Sequence, residues 1–150
     1  MQDDFGLMQI KTPVIQIPDE NNSIYVKRDD LLPFSFGGNK VRIALELIND
    51  MKKQGKDCIV GYGNARSNLS RALANLCYQF KIPCHIISPA DEDGTRIDTY
   101  NSKMVLSCDA KFHYCSKTNV KETVESVLKD IRKEGLKPYY IYGDSTGKGN

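Results

Sequence analysis

Residues 36–40 read Phe-Gly-Gly-Asn-Lys and lie between a predicted β-strand that ends near Lys27 and a predicted helix that begins at Lys40. The two glycines allow a tight backbone turn and leave space above it. Asn39 is a residue type that favours the N-cap of a helix. Apolar residues then recur at the spacing of one helix face: Val41, Ala44, Leu45, Ile48 and Met51. The sequence therefore predicts a loop that delivers Lys40 to a helix N-terminus.

A lysine at a helix N-terminus has a physical reason to be reactive. The helix dipole places partial positive charge there, which disfavours the ammonium form of Lys40 and favours a nucleophilic amine or a base. The alternative is a lysine that bends into water and has no chemical role. Both interpretations stay open on these residues alone.

The composition indicates one globular core. The chain has 150 residues, 40% of them hydrophobic, and its 21 basic and 19 acidic side chains give a net charge of +2. Scattered, balanced charge gives no reason to expect a nucleic-acid or membrane partner. No apolar run approaches the roughly 18 residues of a membrane span, and the N-terminus lacks the apolar core of a signal peptide. We therefore expect a cytoplasmic protein.

The cysteines favour neither disulfides nor zinc. Five of them occur without a C-x-x-C pair, so we expect reduced and mostly buried thiols. Cys84 with His85, and His113 with Cys115, are conceivable metal ligands. Both pairs lie in alternating, strand-like runs, so we expect no metal site.

Strand and helix patterns alternate along the chain. Strands are predicted at 12–17, 24–27, 57–60, 83–88, 110–115 and 138–142, and helices from Lys40 to a cap at Gly55, around 69–80, at 95–106 and at 120–134. This alternation predicts an α/β three-layer sandwich, in which a mostly four-stranded parallel sheet carries helices on both faces.

Two glycine-containing loops follow predicted strands, at 61–68 and 143–150. In such sheets, ligands bind at the carboxyl ends of the strands, and the first loop offers helix N-terminal amides to an anion. Its Gly-x-Gly start lacks the third glycine of a dinucleotide site, because Arg66 stands there. The second loop lacks the spacing of a P-loop. The alternative role for Ser67 and Asn68 is plain helix capping.

These blocks together resemble a known family. Lys27-Arg28-Asp29-Asp30, Phe36 to Arg42, Ser67-Asn68 with Arg71, Lys137-Pro138-Tyr139 and Gly143 to Thr146 occur in the order and spacing found in 1-aminocyclopropane-1-carboxylate (ACC) deaminase and D-cysteine desulfhydrase. Members of this family are pyridoxal-phosphate enzymes of the tryptophan synthase beta-like fold. The resemblance covers nearly the whole chain.

The resemblance implies a cofactor, a reaction and roles for four residues. The cofactor would be pyridoxal phosphate, and the substrate a small amino acid that loses ammonia and leaves a 2-oxo acid. Lys40 would be the catalytic, Schiff-base lysine, and Asn39 would help to bind the cofactor. Asn68 would donate a hydrogen bond to the cofactor's ring oxygen, and Ser67 would face the substrate carboxylate or the reacting carbon.

The chain departs from the family pattern at Leu69, where a Gln or His is usual, and in its length, since family members continue for about as many residues again. The resemblance therefore implies that residues 1–54 belong to an incomplete large cofactor domain with the Lys40 helix. Residues 55–142 would form the small α/β domain, and 143–150 a loop that returns to the large one. We expect such a truncated chain to bind cofactor poorly, to be inactive alone and to self-associate as a homo-oligomer. A non-catalytic α/β interaction or nucleotide-binding module stays open as an alternative.

One further expectation concerns residues 12–27. Their strand partners in the family lie largely beyond this sequence, and unpaired strands leave backbone donors and acceptors unsatisfied. We therefore expect this segment to be poorly ordered or to pair with another chain.

Overall fold

A computed structural model describes residues 10–90 and 98–143. Its strands are β1 Val14–Ile17, β2 Ile24–Lys27, β3 Cys58–Tyr62, β4 Cys84–Pro89, β5 Lys111–Cys115 and β6 Pro138–Tyr140. Its α-helices are α1 Asn39–Lys53, α2 Asn68–Gln79, α3 Tyr100–Ser107 and α4 Val120–Lys133, and short 3-10 turns occur at Asp29–Leu31 and Lys117–Asn119.

Strands β3 to β6 form a four-stranded parallel sheet in the order β5-β4-β3-β6. The central strands β3 and β4 are buried along nearly their whole length, as strands covered on both faces must be. From β3 the chain moves outward through β4 to β5, and it then returns to the other side of β3 as β6. The strand order therefore reverses between the neighbouring strands β3 and β6.

Helices cover both faces of this sheet. Helices α1, α2 and α3 share one apolar core with Ile59 and Ile86, whereas α4 covers the opposite face and packs on Val60 and Ile87. The helices form because their apolar residues recur with helical period; α1, for example, buries Val41, Ala44, Ile48 and Met51. The α/β fold with a four-stranded parallel sheet and helices on both faces confirms the prediction from the sequence.

Two predicted boundaries need correction. Helix α3 begins at Tyr100 and not at residue 95, because Thr99 is its N-cap: Thr99 Oγ1 accepts from Ser102 N at 3.1 Å, and Ser102 Oγ accepts from Thr99 N at 2.9 Å. Strand β6 ends at Tyr140, two residues before the predicted end. The predicted cap of α1 is confirmed, since Gly55 adopts φ = 64° directly after the helix.

The expectation that residues 12–27 are poorly ordered was wrong, and their pairing with another chain stays a prediction. Strands β1 and β2 pair with each other as an antiparallel hairpin, with Val14 opposite Lys27 and Ile17 opposite Ile24. Asp19 closes the connecting loop by accepting hydrogen bonds from the backbone of Asn21 and Asn22. The facing backbone groups of the two strands therefore find partners within the chain, while the outer edges of this exposed two-stranded hairpin have no neighbouring strand among the described residues.

Within residues 10–90 and 98–143, no helix has the length and apolar character that a membrane crossing requires.

Candidate active site at the carboxyl end of the sheet

The two glycine-containing loops begin side by side. They follow β3 and β6, which are neighbours in the sheet, and the ring centroids of Tyr62 and Tyr142 lie 5.8 Å apart at this edge. This is where the strand order reverses, and open α/β sheets place their ligand crevice at such a point. Residues 144–150 of the second loop lie outside the described part of the chain. Tyr62 and Tyr142 were not among the residues predicted from the sequence.

The loop after β3 runs directly into α2. Ser67 is the N-cap, and its Oγ accepts a hydrogen bond from Ser70 N at 3.1 Å. A Cβ on Gly63 would lie 2.5 Å from Ser67 Oγ and 2.6 Å from Ser70 Oγ, so only glycine lets the loop pass so close to the helix. Ser67 therefore caps the helix, and the hydroxyl hydrogen stays available because Oγ is the acceptor in the cap.

The Lys40 segment reaches α1 in a different way. Ser35, Phe36, Gly37 and Gly38 all have positive φ, from 51° to 91°. Gly38 is the N-cap of α1 and no side chain caps the helix, so the prediction of Asn39 as N-cap was wrong. Asn39 is exposed and opens the first turn, and Lys40, which is half-buried, follows in that turn.

Backbone contacts anchor this segment to the 3-10 turn that precedes it. Gly38 N donates to Asp29 O at 2.6 Å. A Cβ on Gly37 would lie 2.5 Å from Asp30 O and 2.8 Å from Asp29 O. The segment thus presses against the main chain of residues 29–30, where no side chain can move aside to make room.

Asp29 carries a second set of contacts that sequence reasoning did not find. Arg42 binds both carboxylate oxygens, from Nε at 2.9 Å and from Nη2 at 2.8 Å, and Thr12 Oγ1 donates at 2.8 Å. Arg42 Nη1 also donates to Ile10 O at 3.0 Å. Hydrogen bonds from Arg42, and then from Thr12, lower the pKa of Asp29 from its ordinary 3.8 to about 2. This network ties the start of α1 to the hairpin.

Asp30 pairs with Arg28 at 2.6 Å, as expected for a structural ion pair.

The Lys40 segment and the β3 loop meet through Phe36 and Arg71. The guanidinium carbon of Arg71, in the first turn of α2, lies 5.8 Å from the centre of the Phe36 ring. Phe36 is 78% exposed, so the ring contributes to the surface beside both loops. The structure thereby brings the segment that carries Lys40 next to the loop that carries Ser67 and Asn68.

Helix α3 holds the β3 loop from the other side. Thr99 Oγ1 donates to Ala65 O, and Asn101 Nδ2 donates to Arg66 O at 2.9 Å and to Asn68 Oδ1 at 3.0 Å. Asn101 was missed in the sequence because it lies 33 positions from Asn68 and in no motif. Asn68 itself is exposed at the start of α2.

Two buried polar atoms near this loop have no hydrogen-bond partner among the described residues: Ser70 Oγ and Arg71 Nε. Buried polar groups are normally paired, so these two atoms are available to a polar group of a ligand. Leu69, the departure from the family pattern, is partly buried and packs against the core of α1, α2 and α3. Its apolar side chain thus has a packing role.

The histidines considered as metal ligands form a pair with each other. His85 Nδ1 and His113 Nε2 are 2.8 Å apart, and the rings are inclined by only 5° with centroids 5.1 Å apart. The centroid distance exceeds the nitrogen distance by about one ring diameter, so the rings lie edge to edge and share one hydrogen bond. Burial, then His113 and Lys111, lower the pKa of His85 to about 4. Among the described residues, no three His, Cys, Asp or Glu side chains are grouped so as to hold a metal ion.

The sequence as a whole matches one family profile. The profile of pyridoxal-phosphate dependent enzymes matches residues 7–146. The chain belongs to this family. Its cofactor is pyridoxal phosphate, as expected from the sequence.

Curated relatives show which members of this family the chain is similar to. D-cysteine desulfhydrases of Salmonella paratyphi B and Salmonella newport are each 27% identical to this chain, over 90% of the chain and 44% of their own length. The chain therefore spans less than half the length of these relatives. The resemblance to the ACC deaminase and D-cysteine desulfhydrase group is confirmed.

Solved structures agree with the fold. The structure of an ACC deaminase homologue matches with a TM-score of 0.71 and 25% identity, over 90% of this chain and 42% of that chain. A hydrogen sulfide-producing enzyme of Fusobacterium nucleatum matches with a TM-score of 0.59 and 24% identity, over 86% of this chain and 41% of that chain. The second likeness concerns the fold alone.

The donors at this edge of the sheet fit pyridoxal phosphate, which is an anion with a ring oxygen and a phosphate. Helix α2 opens here with its first amides, and the unpartnered Arg71 Nε and Ser70 Oγ lie in the same turn. A helix N-terminus with donors and an arginine favours negative charge.

Proposed function

We propose that this chain carries the lysine and part of the ligand-binding surface of a pyridoxal-phosphate-dependent lyase or deaminase that acts on small amino acids and releases ammonia and a 2-oxo acid. The observation that carries this proposal is the contact between Phe36 and Arg71. It places the segment leading to Lys40 beside the loop that leads to Ser67 and Asn68, at the edge where the sheet order reverses.

Lys40 has the central role. Bound pyridoxal phosphate supplies an electron-withdrawing ring that stabilises negative charge at the substrate's α-carbon. The Lys40 amine would be the nucleophile that holds the cofactor covalently. Once free, its Nζ would accept the α-proton of D-cysteine, whereas ACC has no hydrogen on its α-carbon and would need a proton moved at another carbon. Lys40 lies half-buried in the first turn of α1, directly after the exposed Asn39.

The cofactor and the substrate are bound and oriented by Asn39, Ser67 and Asn68. Ser67 Oγ accepts from Ser70 N, so its hydroxyl hydrogen can donate to a substrate carboxylate. Asn68 donates to the ring oxygen of the cofactor. Asn39, exposed beside Lys40, contributes to the cofactor-binding surface.

The relatives support the proposed substrate class. D-cysteine desulfhydrases and an ACC deaminase homologue are among the similar proteins, so D-cysteine and ACC are the two probes of choice. The proposal includes the division into an N-terminal segment of a larger cofactor domain at 1–54, a small α/β domain at 55–142 and a returning loop at 143–150. It also includes assembly as a homo-oligomer in the cytoplasm.

Turnover of the two probes tests this function. The protein is expressed from its own gene, so that any residues outside positions 1–150 are included, and is saturated with pyridoxal phosphate. We expect ammonia and a 2-oxo acid from one of the two probes, and sulfide in addition if the substrate is D-cysteine. Both Lys40→Ala and Lys40→Arg should abolish turnover, because arginine keeps the charge but cannot form the covalent bond.

Lys53→Arg is the matched control, because Lys53 is an exposed lysine at the far end of the same helix. This variant should keep full activity. Turnover that survives in Lys40→Arg would contradict the role of Lys40. The absence of any turnover in the wild type, with every residue of the gene product present, would contradict the proposed reaction.

A further inference from the structure

The side-chain amide of Asn101 can be oriented without ambiguity. Arg71 Nη1 lies 3.1 Å from one end of this amide, and a guanidinium group can only donate. The atom facing Arg71 must therefore be the oxygen. The other end faces the carbonyl oxygen of Arg66 at 2.9 Å, which can only accept, and so it must be the nitrogen. Two independent neighbours give the same assignment.

The same logic passes from Asn101 to Asn68. The two hydrogens of Asn101 Nδ2 point to Arg66 O and to Asn68, at 2.9 and 3.0 Å. The atom of Asn68 that meets this donor must accept, so it is Oδ1. The Nδ2 of Asn68 is then turned away from α3, and among the described residues no acceptor is recorded for it.

We propose that Asn101 is a positioning residue, which holds the Asn68 amide so that its two N–H groups face the ligand. This inference rests on the proposed function, in which Asn68 donates to the ring oxygen of pyridoxal phosphate. An amide that rotates freely would present its oxygen to that ring oxygen half of the time, and two acceptors would repel each other. Asn101 removes this alternative before the ligand arrives.

Arg71 connects this relay to the Lys40 segment. Its guanidinium group donates to Asn101 and lies over the Phe36 ring, three residues before Asn39. The hydrogen-bonded series from Arg71 through Asn101 to Asn68 thus begins at the contact that brings the two loops together. The orientation of Asn68 is thus set by Asn101 of α3, which is itself oriented by Arg71 of α2 and by the Arg66 carbonyl of the β3 loop.

The first test is a crystal structure of the ligand-free chain at a resolution better than about 1.2 Å, at which amide hydrogens become visible. We expect Asn101 Nδ2 and Asn68 Oδ1 to face each other in the wild type. In Asn101→Asp the new carboxylate still accepts from Arg71 but can only accept from Asn68, so Asn68 should turn its Nδ2 toward α3. A wild-type structure in which Asn68 Nδ2 faces Asn101, or an Asn68 amide that keeps its wild-type orientation in Asn101→Asp, would overturn the proposal. This result does not depend on the cofactor.

The second test is a double-mutant cycle on pyridoxal-phosphate binding. Asn101→Asp should raise the dissociation constant about tenfold when Asn68 is present, which is the cost of about one hydrogen bond to a charged acceptor. In the Asn68→Ala background the same change should matter less than about threefold, because the group through which it acts is gone. An equal rise of the dissociation constant in both backgrounds would show that Asn101 affects only the stability of the fold and not the orientation of Asn68.

A spectroscopic measurement separates orientation from stability. A donor to the ring oxygen favours its ionised form, so the loss of that donor should raise the pH at which the visible absorbance band of the bound cofactor changes. We expect this upward shift in Asn101→Asp and in the uncharged variant Asn101→Ala. Asn75→Asp, two turns along α2, adds the same charge without touching Asn68 and should leave the band unchanged. If the wild type binds no pyridoxal phosphate, the proposed function fails and the crystal structure alone decides the role of Asn101.

Discussion

The starts of α1 and α2 differ in how they place the residues that we propose for the site. Helix α1 begins after four consecutive residues with positive φ and has no side-chain cap, whereas α2 begins with an ordinary serine cap. The Lys40 segment is thus shaped by its backbone and by close approach to the main chain of residues 29–30. The β3 loop is shaped by side-chain hydrogen bonds: Ser67 accepts one from Ser70 N, and Thr99 and Asn101 donate to the loop carbonyls.

This difference has a functional meaning. A residue that must take part in covalent chemistry benefits from a rigid approach, and strained backbone conformations are typical of such sites. Groups that only orient a ligand can be held by hydrogen bonds that adjust to it. The comparison predicts that changes of backbone freedom harm the Lys40 segment most, and that changes of hydrogen bonding harm the β3 loop.

The largest expected effect comes from Gly37→Ala. The new Cβ would lie 2.5 Å from Asp30 O, at a residue with φ = 71°. We expect a loss of at least about 3 kcal/mol in the free energy of unfolding, since both the conformation and the contact are unfavourable and the opposing atoms are backbone. Urea denaturation followed by circular dichroism measures it.

Gly55→Ala is the matched control for that prediction. Gly55 has nearly the same conformation, φ = 64°, but a Cβ there meets nothing within 4 Å. The left-handed conformation alone should cost about 1 kcal/mol. If the two variants lose the same stability, close packing against residues 29–30 does not shape the Lys40 segment.

Two hydroxyl deletions in the β3 loop should have opposite signs. Ser67→Ala removes the cap of α2 and should cost about 1 kcal/mol of unfolding free energy. Ser70→Ala removes a buried hydroxyl with no partner among the described residues and should gain about 1 kcal/mol. Thermal unfolding of both variants gives the comparison. A loss of stability in Ser70→Ala would reveal that its hydroxyl is already paired.

Low pH should destabilise the Lys40 segment and leave the stability of the β3 loop unchanged. The pKa of Asp29 is lowered to about 2 by Arg42 and Thr12, so its contribution to stability is complete above its ordinary 3.8 and is lost as the pH falls through about 2. We expect the amide proton of Gly38, which is bonded to Asp29 O, to exchange faster relative to that of Ser70 as the pH falls over this window. The pKa of His85 is lowered from its ordinary 6.5 to about 4, so its contribution to stability is lost at higher pH, as the pH falls from 6.5 through about 4.

Asp29→Asn is the control for the acid effect. An uncharged amide keeps an acceptor for Arg42 but has no carboxylate to protonate. The ratio of the Gly38 and Ser70 exchange rates in this variant should no longer depend on pH between about 4 and about 2. A pH dependence equal to that of the wild type would assign the acid effect to another group.

The sequence predicted what depends on local periodicity. The buried strands, the helices α1, α2 and α4 and the parallel sheet follow from apolar spacing, and the glycine cap at Gly55 follows from residue type. The start of α3 was misplaced because Thr99, and not an apolar residue, defines it through its capping box. Asn39 was misread as a cap because Gly38 takes φ = 91° and ψ = 161°, a conformation open almost only to glycine.

Long-range pairing could not be read from one sequence. The hairpin of β1 and β2 was predicted as two strands but not as a pair, although the Asp19 turn between them is a signal for it. Asn101 and Arg42 act across 33 and 13 positions, on Asn68 and Asp29, and no motif records either contact. Lys40, Asn39, Ser67 and Asn68 were predicted as site residues through the resemblance, and their roles stay predictions.

The most direct test of the account is the site at which the chain itself takes up pyridoxal phosphate. The 150-residue chain is incubated with the cofactor at increasing concentration, reduced with borohydride and digested, and the modified lysines are quantified by mass spectrometry. We expect weak and reversible binding before reduction, and modification of Lys40 at concentrations that leave the exposed lysines Lys52 and Lys53 unmodified. Modification of Lys40 no faster than of these lysines would contradict its role as the residue that holds the cofactor.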